Sequence, residues 1–242
     1  MAQRAPVYRG LPKPVRILAW IAFATVTGIG IGLTAPTALM RLGATAALRP
    51  GLLDWYAVRA LGFIGYLVIA ASVVYGLMLS TKLLDAIAHR PVSFALHKDL
   101  SLVGLFLLIL HGLLLLGDES YPFSLRSILV PFASPYAPIS VGIGQLALYG
   151  TAIVTASFYV RRRIGQRAWR LLHYLTFFAF IGGTVHGILS GTDSGTWLAL
   201  AIYLIAFGVT LFLTTYRVVV GVAGRLSADR PEPGRSGAGA HP

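Results

Sequence analysis

Six apolar runs, each about twenty residues long and most of them bounded by basic residues, constrain this chain before any motif is considered. They cover about Ile17–Leu39, Leu61–Leu79, His97–Leu116, Val141–Val160, Leu171–Leu189 and Trp197–Tyr216. Roughly 20 apolar residues suffice for a helix to cross the hydrocarbon core of a bilayer. Inside that core no water satisfies the backbone, so each run must satisfy its own hydrogen bonds as a helix. The composition agrees: 56% of the residues are hydrophobic and 12% charged, against about 25% charged in ordinary soluble domains. The expected fold class is therefore an all-α integral membrane protein built as a six-helix transmembrane bundle. The first run exceeds the signal-peptide apolar region of about 7–15 residues, so it reads as a retained anchor.

The basic residues give the bundle a direction. With the N-terminus inside, the inner segments hold sixteen Lys and Arg, including Lys82, Arg90, Lys98, Arg161, Arg162, Arg163, Arg167, Arg170 and Arg217. The outer loops hold four: Arg41, Arg49, Arg59 and Arg126. The positive-inside rule then places both termini in the cytoplasm and the chain in the cytoplasmic membrane. The formal net charge of +12 is thus a topology signal. It does not form a continuous soluble face, so no nucleic-acid partner is expected. Membrane lipid is the surrounding partner. Cysteine is absent, which excludes cysteine-ligated iron–sulfur clusters and thiolate-ligated haem. The expected organisation is a cytoplasmic segment 1–14, a membrane domain 15–217 and a largely disordered cytoplasmic tail 218–242.

Four histidines lie inside the apolar runs. His97 and His111 are fourteen residues apart on the third run, and His173 and His186 thirteen apart on the fifth. An imidazole in hydrocarbon is costly unless something engages it, so each is a candidate functional residue. Both runs cross from inside to outside. His97 and His173 therefore sit near the inner face, and His111 and His186 sit about 20 Å further out at 1.5 Å per residue. Two pairs matched in depth point to the axial ligands of two haems. At about 100° per residue, fourteen residues return to the same helix face, whereas thirteen miss it by about 140°. A kink or bulge at Gly182–Gly183 is the expected remedy.

The stretches LHKDLSLVGLFLLILHG, PFASPYAP, RRRIGQRAWRLLHYLTF and HGILSGTDS resemble the ferric reductase-like transmembrane domain family, which includes ferric-chelate reductases, NADPH oxidases and bacterial relatives. The resemblance covers roughly residues 15–217. It implies six helices enclosing two b-type haems (haem b), with His97 and His173 on the inner haem iron and His111 and His186 on the outer. It also implies transmembrane electron transfer to an outer acceptor such as a ferric chelate. The larger members continue into a flavin and nicotinamide domain, and only about 25 residues follow Arg217 here. Electrons are then expected from an electron-donor flavoprotein, a bound flavin (FMN or FAD) or quinol. The haem subunit of the bacterial methionine sulfoxide reductase system is a short relative of this kind. It suggests a second reading, in which quinol supplies a periplasmic reductase. A reading from another class is a copper- or zinc-binding transporter or assembly protein.

Lys98 and Arg170 are the expected inner propionate contacts, with Arg163 and Arg167 weaker candidates. Arg41, Arg49, Arg59 and Arg126 run against the charge bias and are candidates for the outer propionates or an acidic partner. Asp118 and Asp193 lie near the outer level. Trp169 reads as an interfacial anchor, Phe177, Phe178 and Phe180, between the haem levels, as lipid or core packing, and His89 and His241 as solvated residues.

Overall fold

The computed structural model describes residues 53–85, 89–118, 121–191 and 194–228. Their secondary structure is entirely helical. The elements are α1 (Leu53–Ser80), α2 (Arg90–Leu114), α3 (Leu125–Leu129), α4 (Pro138–Ile164), α5 (Gln166–His173), α6 (Leu175–Ser190) and α7 (Trp197–Ala228), with a single 3-10 turn at Leu115–Gly117. Five stretches among the described residues are long and apolar enough to cross a membrane: Ala57–Ser80, Arg90–Gly117, Pro138–Ile164, Gln166–Ser190 and Trp197–Ala223. The protein is a multi-pass integral membrane protein. These five match the second to sixth expected runs, and the first, Ile17–Leu39, lies outside the described residues.

Helices in lipid gain little hydrophobic drive from one another, so they associate by close packing and hydrogen bonds. Two pairs dominate: α1 against α2, and α4 against α6. On the first pair Gly104 leaves room for Ile69, where an added Cβ would come within 2.6 Å of the Ile69 side chain. Between the pairs lies a core of Tyr66, Ala70, Val73, Leu77, Phe180, Tyr203 and Leu213, drawn from α1, α6 and α7. Many of the remaining large apolar side chains point outward, among them Phe178 at 72% exposure and Ile205 at 64%. That inversion suits a surface solvated by lipid tails.

Three features differ from the run-by-run reading. The segment between the third and fourth runs adds a short helix that lies outside the apolar runs. Ser124 and Ser127 form a reciprocal capping box that starts the short helix α3. Gln145 Nε2 then donates to the Ser127 and Ile128 carbonyls at 2.8 and 2.7 Å, and the Tyr149 hydroxyl donates to the Leu129 carbonyl. Two side chains one helical turn apart on α4 thereby satisfy the open carbonyl end of α3. Secondly, α7 continues past Arg217 to Ala228, because VVVGVAGRLSA contains no proline to stop it. The rest of the tail expected to be largely disordered, residues 229–242, lies outside the described residues.

Thirdly, the fifth crossing is two helices. Tyr174 separates them, with its N–H on the Leu171 carbonyl and its own carbonyl accepting from Phe177 N–H at 3.1 Å. These three-residue hydrogen bonds wind the chain at about 120° per residue instead of 100°. The added rotation is in the sense needed to bring His173 and His186 toward one side. The break therefore falls directly after His173 and not at Gly182–Gly183, which lie within α6.

Gly165 joins α4 to α5 with φ 82° and ψ 156°. That backbone region is essentially reserved for glycine. It turns the chain in one residue, so that α5 starts back along α4. Gly165→Ala is expected to destabilise the fold by about 1–3 kcal/mol, read as an earlier thermal unfolding transition in detergent.

Candidate functional site

The split fifth crossing brings the four histidines into two facing pairs. The His97 and His173 ring centroids are 6.3 Å apart, and those of His111 and His186 are 6.4 Å apart. Both pairs meet across the bundle, α2 supplying one ring and the fifth crossing the other.

Three of the rings are held the same way. His97 Nδ1 donates to the Ser72 carbonyl at 2.9 Å, His111 Nδ1 to the Val58 carbonyl at 2.7 Å, and His186 Nδ1 to the Ser140 carbonyl at 2.9 Å. A carbonyl only accepts, so the proton sits on Nδ1 and Nε2 keeps its lone pair. Each accepting carbonyl belongs to a helix and lies four residues before a glycine. The three glycines are Gly76, Gly62 and Gly144. An added Cβ would lie 2.8 Å from His97 at Gly76, 2.9 Å from His111 at Gly62 and 2.6 Å from His186 at Gly144. The reason is geometric. In an α-helix the carbonyl of residue n−4 sits beside residue n, and a side chain at n covers it. Glycine uncovers it, and its second lone pair becomes available to a ring pressed against the helix.

Hydroxyls reinforce two of these seats. Ser72 Oγ is 2.7 Å from Ser101 Oγ, and Ser101 Oγ donates to the His97 carbonyl at 2.9 Å. Ser190 Oγ donates to Ser140 Oγ at 2.6 Å and lies 3.3 Å from His186 Nδ1. Such partners fix ring orientation and the basicity of a metal-binding nitrogen. His173 has a different neighbour: the Trp169 indole stacks on it with centroids 5.3 Å apart and planes at 29°.

The donor set suits a metal held in a macrocycle. Two imidazoles on opposite sides of one metal ion, with metal–nitrogen bonds of about 2 Å and each ring centroid about 1 Å further back, have centroids about 6 Å apart. Both pairs meet that distance. Among the described residues no group of three His, Asp or Glu side chains could hold a metal ion. Two imidazoles alone leave a copper or zinc ion short of its usual shell, whereas a porphyrin supplies the remaining four nitrogens. At the His111 end the pair opens on a cavity of about 510 Å³ lined by Val58, Phe63, Leu108, Leu148 and Ile202, with Arg59 in its wall. At the His97 end the pair borders a smaller pocket of about 40 Å³, edged by Ser72, Ser101, Thr155 and Thr176.

Between the two levels an aromatic cluster closes the centre. Tyr66 stacks on Phe180 at 5.9 Å and meets Tyr203 at 4.8 Å, and its hydroxyl is 3.1 Å from Thr184 Oγ1. Lys98 lies beside the His97 level with its Nζ 5.9 Å from the Phe158 ring. Arg170 is exposed at the end of α5, and Arg217 of α7 lies within electrostatic range of His173. Of the outer-level candidates, Arg59 reaches the cavity and Arg126 is exposed, while Arg41, Arg49 and Asp193 lie outside the described residues. Asp118 caps the turn that follows α2 by accepting from Tyr121 N–H at 3.2 Å. Reading by run and charge missed Gly62, Gly76, Gly144, Ser72 and Ser140. The fourteen-residue echo of Gly62 and Gly76 beside His97 and His111 was the available signal.

The sequence pattern of ferric reductase like transmembrane components matches residues 61–184, half of the chain. The chain belongs to the ferric reductase-like transmembrane family. The match takes in His97, His111 and His173 and stops two residues before His186, so the fourth imidazole rests on its geometry. Neither the curated proteins nor the solved structures contain a match. Membership of the ferric reductase-like family carries transmembrane electron transfer as the general activity.

Because Gly144 leaves no space for a Cβ beside His186, Gly144→Val is expected to displace that ring. The variant should keep its helical circular dichroism, and any haem held between His111 and His186 should be lost, read as a fall in haem per chain.

Proposed function

We propose that the chain holds two b-type haems, one between His97 and His173 and one between His111 and His186, and moves single electrons across the membrane. The observation that carries this reading is the pair of imidazole separations, 6.3 and 6.4 Å, at two levels of one bundle. Haem, when bound, supplies reversible one-electron chemistry at its iron. The protein does the rest. His97, His111 and His186 present Nε2 because their Nδ1 protons are engaged. Tyr66, Phe180 and Tyr203 exclude water between the levels, which keeps the local dielectric low. Arg59 at one level, and Lys98, Arg170 and Arg217 at the other, offer positive charge to propionates.

The charge bias supports a cytoplasmic His97 end with both termini cytoplasmic. The donor then acts at that face and the acceptor, a ferric chelate or a periplasmic reductase, at the other. A quinol-dependent subunit serving a periplasmic reductase is the second reading. It is favoured by Gln145, whose Oε1 is buried without a hydrogen-bond partner among the described residues in the wall of the 510 Å³ cavity, where it can accept from a quinol hydroxyl. Reduction of the purified protein by a quinol analogue alone separates this from a flavoprotein-dependent supply. A copper or zinc carrier is not proposed, since among the described residues no third His, Asp or Glu joins either pair.

The reading is tested by a reduced-minus-oxidised spectrum with haem quantification on wild type and His186→Ala. Two b haems per chain should fall to one. A wild-type chain with one haem or none would overturn it.

A further inference from the structure

Three of the four imidazoles share one seat, and the fourth lacks it. Gly62 and Gly76 stand fourteen residues apart on α1 and serve His111 and His97. On α4, Gly144 serves His186. Fourteen residues after Gly144 comes Phe158, where a glycine would complete the pattern. The carbonyl four residues before it, that of Val154, accepts from the Ser157 hydroxyl at 2.7 Å. The Phe158 ring itself is covered by the Arg161 guanidinium at 3.7 Å and tilts against Phe94 at 5.7 Å. Neither the open helix surface nor the free carbonyl lone pair of the other seats is offered to His173.

What His173 has instead is Trp169, one turn earlier on α5, stacked at 5.3 Å and 29°. The indole Nε1 is buried and has no hydrogen-bond partner among the described residues. The contact between the two residues is therefore made by the ring faces. The chain breaks helix at Tyr174, directly after His173, so the ring sits at the end of α5. A flat aromatic side chain across one face limits rotation of the imidazole about its last torsion, which is otherwise broad.

We propose that Trp169 is the positioning residue for His173, its stacked indole replacing the glycine-and-carbonyl seat that orients the other three ligands. The inference rests on the two-haem reading above. It makes the two sites unequal. The His111–His186 site has two seated rings, and the His97–His173 site has one seated ring and one held by stacking. Loss of the indole should release His173 from iron and leave the other site intact.

The test uses the full chain, purified with its haem in detergent, and reads spin state and haem per chain. Trp169→Ala, and Trp169→Leu as a bulkier alternative should the alanine variant fail to accumulate, are expected to turn one haem of the two from low-spin to high-spin or to lose it. Trp169→Phe, which keeps a ring face and removes the N–H, is expected to keep both haems low-spin. In a His173→Ala background, adding Trp169→Ala should change nothing further. Two low-spin haems in both Trp169→Ala and Trp169→Leu would overturn the proposal. So would equal damage in Trp169→Phe, or an added effect in the His173→Ala background. A wild-type chain without two haems would instead strike the reading on which the proposal rests.

Discussion

The bond from an imidazole Nδ1–H to a helix carbonyl is the interaction on which the rest of this structure depends. It settles which nitrogen carries the proton and so which is left to bind metal. It also prevents a buried ring from being stranded with an unsatisfied donor in hydrocarbon, which costs several kcal/mol per group. The acceptor is already used once by its own helix. It serves again only because a carbonyl oxygen has two lone pairs and because a glycine four residues later leaves it uncovered. His97, His111 and His186 all meet this condition, on two different helices.

The helix pairing follows from the same requirement. A ring pressed onto a glycine needs its two backbones close together, and among the described helices α1 with α2 and α4 with α6 pack most extensively. Each pair is thus a rigid holder for its imidazoles, and the proposed haem positions lie between the pairs. The aromatic cluster of Tyr66, Phe180 and Tyr203 fills the centre that remains. It separates the two levels while joining the pairs through packing and through the contact between the Tyr66 and Thr184 hydroxyls. The ends of the molecule differ accordingly. The His111 end opens on a large apolar cavity with α3 docked over it by Gln145 and Tyr149, whereas the His97 end has a smaller pocket edged by hydroxyls.

Much of this was legible in the chain. Apolar length and basic flanks predicted the crossings, because the bilayer admits few alternatives and penalises charge inside it. Five of the six expected runs stand as helices among the described residues. The four histidines stood out for the same reason, and their depths followed from a rise of about 1.5 Å per residue. The family pattern over residues 61–184 agrees with the resemblance carried by the sequence motifs.

Only the tertiary structure decided which way the rings face and what holds them. Periodicity on an ideal helix set His173 and His186 apart, and placed the remedy at Gly182–Gly183. The chain turns at Tyr174 instead, where hydrogen bonding over three residues tightens the winding. Trp169, by its type and position, read as an interfacial anchor, and its stack on His173 exists only once α5 is folded. The seats themselves depend on contacts between residues as far apart as His111 and Val58, or His186 and Ser140. One-dimensional spacing sets how deep a side chain lies on its own helix. It carries no information on which neighbour that helix will press against, and that choice decides the carbonyl each imidazole can reach.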